Sequence, residues 1–222
     1  MEIEGLAGPQ RVTDGATGPF RRDSFGGMMG SDANGFFAEQ VARGNGFCFS
    51  TALAGVALIA TTTTNNQCVL WNPPGNAKFC ALQFVKYGRT ANGTPLEGSI
   101  VYNIAREVRA LGTGADLVSG TAVAGSNLRS DLQGDNSGMK WYPAASVFTT
   151  APVLLGTAGI AQTADDGATT VSGPRAEMIR DDIWGSIQIW PGSAFNIGAA
   201  VALSTTYTIS IYALMLPLPL HA

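Results

Sequence analysis

The stretch "TTYTISIYALM", residues 205–215, places Tyr207, Ile209, Ile211, Ala213 and Met215 at every second position, with Thr206, Thr208 and Ser210 between them. A period of two is the repeat of a pleated strand, so this segment fits a β-strand with one face on a core and cannot present the same side chains on one face of a helix. The same alternation sets Ile100, Tyr102 and Ile104 on one face of "GSIVYNIARE". It also sets Ile183, Ile187 and Ile189 against Trp184, Ser186, Gln188 and Trp190 in "DIWGSIQIW". "KFCALQFVKYG", residues 78–88, is apolar on both parities, as expected of a strand covered on both sides. "FCFSTALAGVALIA", residues 47–60, is too short to span a bilayer, which takes ~20 apolar residues, and reads as one or two buried strands. These patterns predict an all-β chain.

Two distant stretches echo one another. "LWNPPGNAKFCALQF", residues 70–84, and "IWPGSAFNIGAAV", residues 189–201, each carry an apolar run ending in tryptophan, a Pro-Gly step and a second apolar run. Proline fixes φ near −65° and glycine supplies a positive φ, so Pro74-Gly75 and Pro191-Gly192 are expected to be tight turns at the corners of hairpins, each closed by a buried tryptophan. Two such units suggest the paired halves of an antiparallel β-sandwich of jelly-roll type, whose consecutive strands cross between two sheets. The long stretches 89–98, 112–138 and 162–174 are rich in turn residues and read as loops, with a short helix capped by Ser126 as an option in "SNLRSDLQ".

The chain divides into an extended N-terminal arm, residues 1–45, and a sandwich domain, residues 46–222. The arm lacks apolar periodicity and repeats arginine at Arg11, Arg21, Arg22 and Arg43. It also holds Phe20, Phe25, Phe36, Met28 and Met29, more apolar bulk than a disordered tail carries. Residues 32–46 offer one short helix or extended piece anchored by Phe36, Phe37 and Val41. An arm ordered on a neighbouring subunit fits this composition, with Phe20, Arg21, Arg22 and Phe25 as the expected contact residues. Packing of the same arm within its own subunit is the competing reading.

Only 13% of the 222 residues are charged, roughly half the ~25% usual in soluble domains. Cores of protein interfaces are depleted in charge, so the deficit points to a homo-oligomer, the alternative being a β-protein coated with Thr, Ser, Asn and Gly. The net charge is −3 and no basic block occurs, which argues against direct nucleic-acid binding. The opening "MEIEGLAGPQ" lacks the basic segment and apolar core of a secretory signal, so export by that route is not expected, nor is membrane insertion.

No catalytic constellation is legible. The single histidine, His221, stands next to the last residue, which makes a poor general base. Cys48, Cys68 and Cys80 have no metal-ligand or disulfide spacing and read as small buried thiols. Neighbouring carboxylates occur at Asp165-Asp166 and Asp181-Asp182, but adjacent residues on a strand point to opposite faces, and no calcium loop surrounds them. The Gly-rich pieces lack a phosphate-loop pattern. Trp141, Tyr142 and Trp184 are either core aromatics or platforms of a sugar groove. No cofactor, metal or enzymatic activity is expected.

Taken in order, "DANGFFAEQVARGNGFCFSTALAGVA", "VLWNPPGNAKFCALQF", the later strand–Pro-Gly–strand and the closing "TTYTISIYALMLPLP" resemble a set of small structural proteins of tailed bacteriophages. The resemblance implies a virion component made in the host bacterial cytoplasm, a jelly-roll module forming a homotrimer. Its partners would be itself and the major capsid protein or other virion proteins. In that setting it would act as a capsid decoration or cement protein, the alternative being a head–tail junction or receptor-binding fibre component. Residues 112–174 depart most from the pattern.

Overall fold

The computed structural model describes residues 6–7, 21–22, 33–61, 66–91, 98–106, 118–119, 121–132, 137–144, 147–148, 152–161, 178–203 and 205–218. The short strands β1 (Leu6–Ala7) and β2 (Arg21–Arg22) are followed by helix α1 (Ala33–Ala42), β3 (Gly46–Ser50), β4 (Val56–Ala57), β5 (Val69–Asn72) and β6 (Lys78–Ala91). Then come β7 (Gly98–Arg106), β8 (Val118–Ser119), β9 (Ser126–Asn127), β10 (Lys140–Tyr142), β11 (Val147–Phe148) and β12 (Val153–Ala161). The chain closes with β13 (Met178–Asp182), β14 (Gln188–Ile189), β15 (Ser193–Ala199) and β16 (Thr206–Pro217). The all-β expectation holds.

Two antiparallel sheets carry the fold. One has five strands in the order β10-β5-β15-β7-β12; the other has seven, running β13-β6-β16-β3-β9 with β14 also on β6 and β4 also on β16. They face one another across a single core. The seven-stranded sheet contributes Phe47, Phe49, Leu82, Val85, Ile209 and Ile211, and the five-stranded sheet answers with Leu70, Ile100, Trp141, Phe195 and Ile197. Strand β16 is central and buries the face its alternation predicts: Tyr207, Ile209, Ile211, Ala213 and Met215 are all inside.

The two-sided apolar character of β6 has two causes. A bulge at Gln83 shifts the register against β16 between Leu82 and Phe84, so Cys80 and Leu82 share the core face with Val85 and Tyr87 despite the change of parity. On the outer face, Phe84 stacks on Tyr212 with ring centroids 4.4 Å apart and meets Phe37 of α1 edge-on at 5.7 Å. The helix is therefore the element that covers this sheet. Val41 reaches its other anchor point, where a side chain on Gly46 would collide with it.

The Pro-Gly turns are not hairpin corners. The first joins β5 of the five-stranded sheet to β6 of the seven-stranded one, and the second joins β14 of the seven-stranded sheet to β15 of the five-stranded one. Both are arches that carry the chain across the core, and they lie side by side because β5 pairs with β15 and β6 pairs with β14. Gly75 and Gly192 adopt φ of +86° and +83°, the left-handed region that the reversal requires. Fully buried Asn72 ties the arches together. Its side-chain amide donates to the Lys78 and Ile189 carbonyls at 3.0 Å each, its Oδ1 accepts from Asn76 Nδ2 at 2.8 Å, and its own carbonyl accepts from the Gly192 N–H at 2.7 Å.

The tryptophans before the two turns part company. Trp71 is buried, but on the outer face of the five-stranded sheet with Val69, Ala105, Tyr142, Phe148 and Ala194, and Lys140 Nζ sits 4.9 Å from its ring centre. Trp190 remains partly exposed and stacks on Phe79 at 5.2 Å. Residues 126–132 form strand β9 and a turn rather than a helix. Asn127 Oδ1, not Ser126, accepts the Arg129 N–H, and Leu132 N–H returns to the Arg129 carbonyl.

Candidate interaction surface

The open side of the sandwich is where β12 ends the five-stranded sheet and β13 and β14 end the seven-stranded one. Among the described residues strand β12 pairs only with β7, and its register slips twice, between Leu154 and Gly156 and between Thr157 and Gly159. Bulges at an edge disfavour simple strand addition. They also turn apolar side chains outward: Val153, Leu154 and Leu155 are 62%, 60% and 46% exposed, three consecutive apolar residues on one edge strand.

Beneath this edge runs a groove of about 480 Å³ between the two sheets. Tyr102 and Ile104 of β7 form its floor, Leu155 and Gly156 one wall, and Ile187 and Trp190 the other. Gly156 lies opposite Tyr102 in the register, and a Cβ added there would meet no atom within 4 Å, so this stretch of the groove wall has open space beside it. Arg106 stands exposed at its margin, with no ion pair among the described residues, and Ser186 and Gln188 supply neutral polar groups.

A second, smaller cleft of about 260 Å³ lies on the outer side of β14, bounded by Phe79, Gln83, Trp184 and Leu216, and shares Gln188 with the first. Trp184 is presented there by an interruption of the edge strand. Trp184 and Gly185 both take positive φ, +51° and +76°, while Ile183 and Trp184 donate together to the Gln83 carbonyl and Gly185 to that of Leu82. A tryptophan in the left-handed region is strained, and the residue is 45% exposed.

Behind the groove, the Tyr87 hydroxyl donates to the Tyr102 oxygen at 2.7 Å, and the Asp181 carboxylate is near enough to both phenols to act on them electrostatically. Burial pushes both phenols well above the ordinary tyrosine range, and the negative charge of Asp181 adds to the shift. Burial likewise pushes the thiols of Cys68 and Cys80 up, so neither is a reactive thiolate. Cys48 is only half-buried and contacts the Ser50 hydroxyl at 3.3 Å.

Of the carboxylates singled out in the sequence, Asp181 points toward Tyr102 while Asp182 binds Arg180 Nε at 2.7 Å, the opposite faces that adjacent strand residues require. Asp165, Asp166 and His221 lie outside the described residues. Trp141 and Tyr142 are buried, Trp141 Nε1 donating to the Ser50 carbonyl at 3.0 Å, which removes them as sugar platforms. Among the described residues no three potential metal ligands cluster, and no helix is long and apolar enough to cross a membrane.

Of the expected arm contacts, Phe20 and Phe25 lie outside the described residues. Arg21 and Arg22 form β2, which runs parallel to β1 with Leu6 opposite Arg21 and Ala7 opposite Arg22. Sequence reasoning missed β12, because bulges erase the period-two signal it relies on, and it missed the groove, whose marker is one glycine in a strand. No family profile, curated protein or solved structure matches this chain.

Proposed function

We propose that this chain is a structural protein of a tailed-bacteriophage virion, a jelly-roll module that assembles as a homotrimer and decorates or cements the capsid by bridging neighbouring subunits. The observation that carries the reading is the free edge of β12, where Val153, Leu154 and Leu155 stand exposed on a chain with little surface charge to offset them. Apolar area removed from water contributes ~25 cal/mol per Å², so covering such an edge, together with the docking of an arm through Phe20, Arg21, Arg22 and Phe25, stabilises an assembly with no reaction involved. The sequence resemblance supports the virion setting, and with α1 of the 1–45 arm packed on the chain's own sheet through Phe37 and Phe84, bridging falls to the arm residues that precede it.

Light scattering on the chromatographed protein is expected to give a trimer, and Leu154→Asp to shift it toward monomer. Purified shells are expected to bind the full chain and to lose it when residues 1–45 are removed. A wild-type monomer, or unchanged shell binding by the truncation, refutes the reading. Imaging that finds the protein at the head–tail junction or in a fibre replaces cementing with that alternative.

A further inference from the structure

We propose that the groove at Trp190 and the cleft at Trp184 are adjoining subsites for an acidic oligosaccharide. The inference goes beyond assembly, and it requires that covering the β12 edge at Val153 and Leu154 leaves the groove wall at Leu155 and Gly156 open. The two hollows flank β14 and share Gln188, so a ligand longer than one ring can pass over this edge strand and occupy both. Each presents a partly exposed tryptophan: Trp190 is braced from behind by Phe79, 5.2 Å away and nearly parallel, and Trp184 is held outward by a backbone conformation tryptophan rarely adopts. Local strain of this kind is retained where the surroundings or a function require it.

The chemistry of the lining selects the ligand class. A pyranose has an apolar C–H face and a polar rim, and it needs a flat aromatic surface beside hydrogen-bonding groups. Trp190 with Ser186 and Gln188 supplies that combination in the groove, and Trp184 with Gln83 and Gln188 supplies it in the cleft. Among the described residues neither hollow is lined by an acidic group, while the groove has Arg106, a planar cation suited to a carboxylate. A fatty or aromatic acid would satisfy Arg106 but would leave the polar rim of both hollows unmatched. The volume of about 480 Å³ lies within the ~300–1,000 Å³ of small-molecule sites.

The test is titration of the intact protein with trigalacturonate, maltotriose and octanoate, followed by tryptophan fluorescence and calorimetry. Trigalacturonate is expected to bind at least about tenfold more tightly than maltotriose, and octanoate not at all. Arg106→Gln is expected to abolish the preference for the acid, and Trp190→Ala and Trp184→Ala each to weaken binding about tenfold or more. Gly156→Val, which adds bulk to the groove wall at a position with open space and no positive φ, is expected to weaken binding in a folded protein; its thermal transition reports the fold separately. No saccharide binding at millimolar concentration overturns the proposal. So does binding indifferent to Arg106→Gln, preferential binding of octanoate, or a change of oligomeric state in Gly156→Val showing that a second copy fills the groove. Shell binding and trimer formation are read in separate assays, so failure here leaves the assembly reading standing, and the converse holds.

Discussion

Replacing Asn72 by alanine is the sharpest test of how the two arches hold the sheets together. The substitution removes the donor to the Lys78 and Ile189 carbonyls and the acceptor of the Asn76 amide, three hydrogen bonds of 3.0, 3.0 and 2.8 Å around a fully buried side chain. Each contributes roughly 1 kcal/mol net, for a loss of about 3 kcal/mol. Against a typical total of about 5–15 kcal/mol, that is a large fraction of the fold's stability. Urea unfolding with a slope of about 2.5 kcal/mol/M would show the midpoint falling by about 1.2 M with the slope unchanged. Asn72→Asp is expected to fare no better, because it keeps the shape but donates nothing and buries a charge. Asn76→Ala should cost about 1–2 kcal/mol, and the double variant less than the sum, since the two residues share one bond. A loss below 1 kcal/mol for Asn72→Ala would refute the view that this side chain fastens the arches.

Alkaline titration is expected to destabilise the protein in two stages. Cys68, Cys80, Tyr87 and Tyr102 all have folded-state values raised by burial, so above their ordinary values the unfolded chain binds fewer protons and stability falls with rising pH. The slope should begin above pH ~8.5 and approach about −2.7 kcal/mol per pH unit from the two thiols, then steepen above pH ~10; Cys68→Ala together with Cys80→Ala should remove the first stage, and a flat profile to pH 10 would contradict it. Gly125→Ala should cost about 1–3 kcal/mol in chemical denaturation, because the new methyl would lie 2.3 Å from Phe49 Cε1 in the core. Trp184→Asn should change the stability by less than about 1 kcal/mol although a large ring is lost, since asparagine tolerates the +51° φ that tryptophan resists; a larger loss would show that the ring packs rather than projects.

What the sequence revealed followed from how regular each strand is. Strand β16 runs between β6 and β3, and its alternation from Tyr207 to Met215 translates directly into a buried face. At β12 two bulges break the phase within a single strand, so the same reasoning saw only a Leu- and Gly-containing stretch. The edge segment β13–β14 lies between these cases. Ile183, Ile187 and Ile189 do share the inward side, but nothing in the letters says that Trp184 and Gly185 leave the extended conformation to push a ring into solvent. Trp141 illustrates a different limit, because a strand of three residues, Lys140–Tyr142, is too short for periodicity to separate a core aromatic from an exposed one.

The echoed Pro-Gly stretches are informative because their error is specific. A turn residue fixes the local reversal, yet the same proline and glycine serve a hairpin, where both strands join one sheet, and an arch, where they join two. What separates these outcomes is the partner of each flanking strand, which is information from distant sequence. Here β5 finds β15 and β6 finds β14, so each arch supplies the strand partners of the other. Neither crossing can then be shifted by one residue without turning Leu70 or Phe195 out of the core and Trp71 or Ala194 into it. The register of the two sheets relative to one another is thereby set at one place, around Asn72, and the residue that closes it is a polar one that an apolar pattern cannot single out.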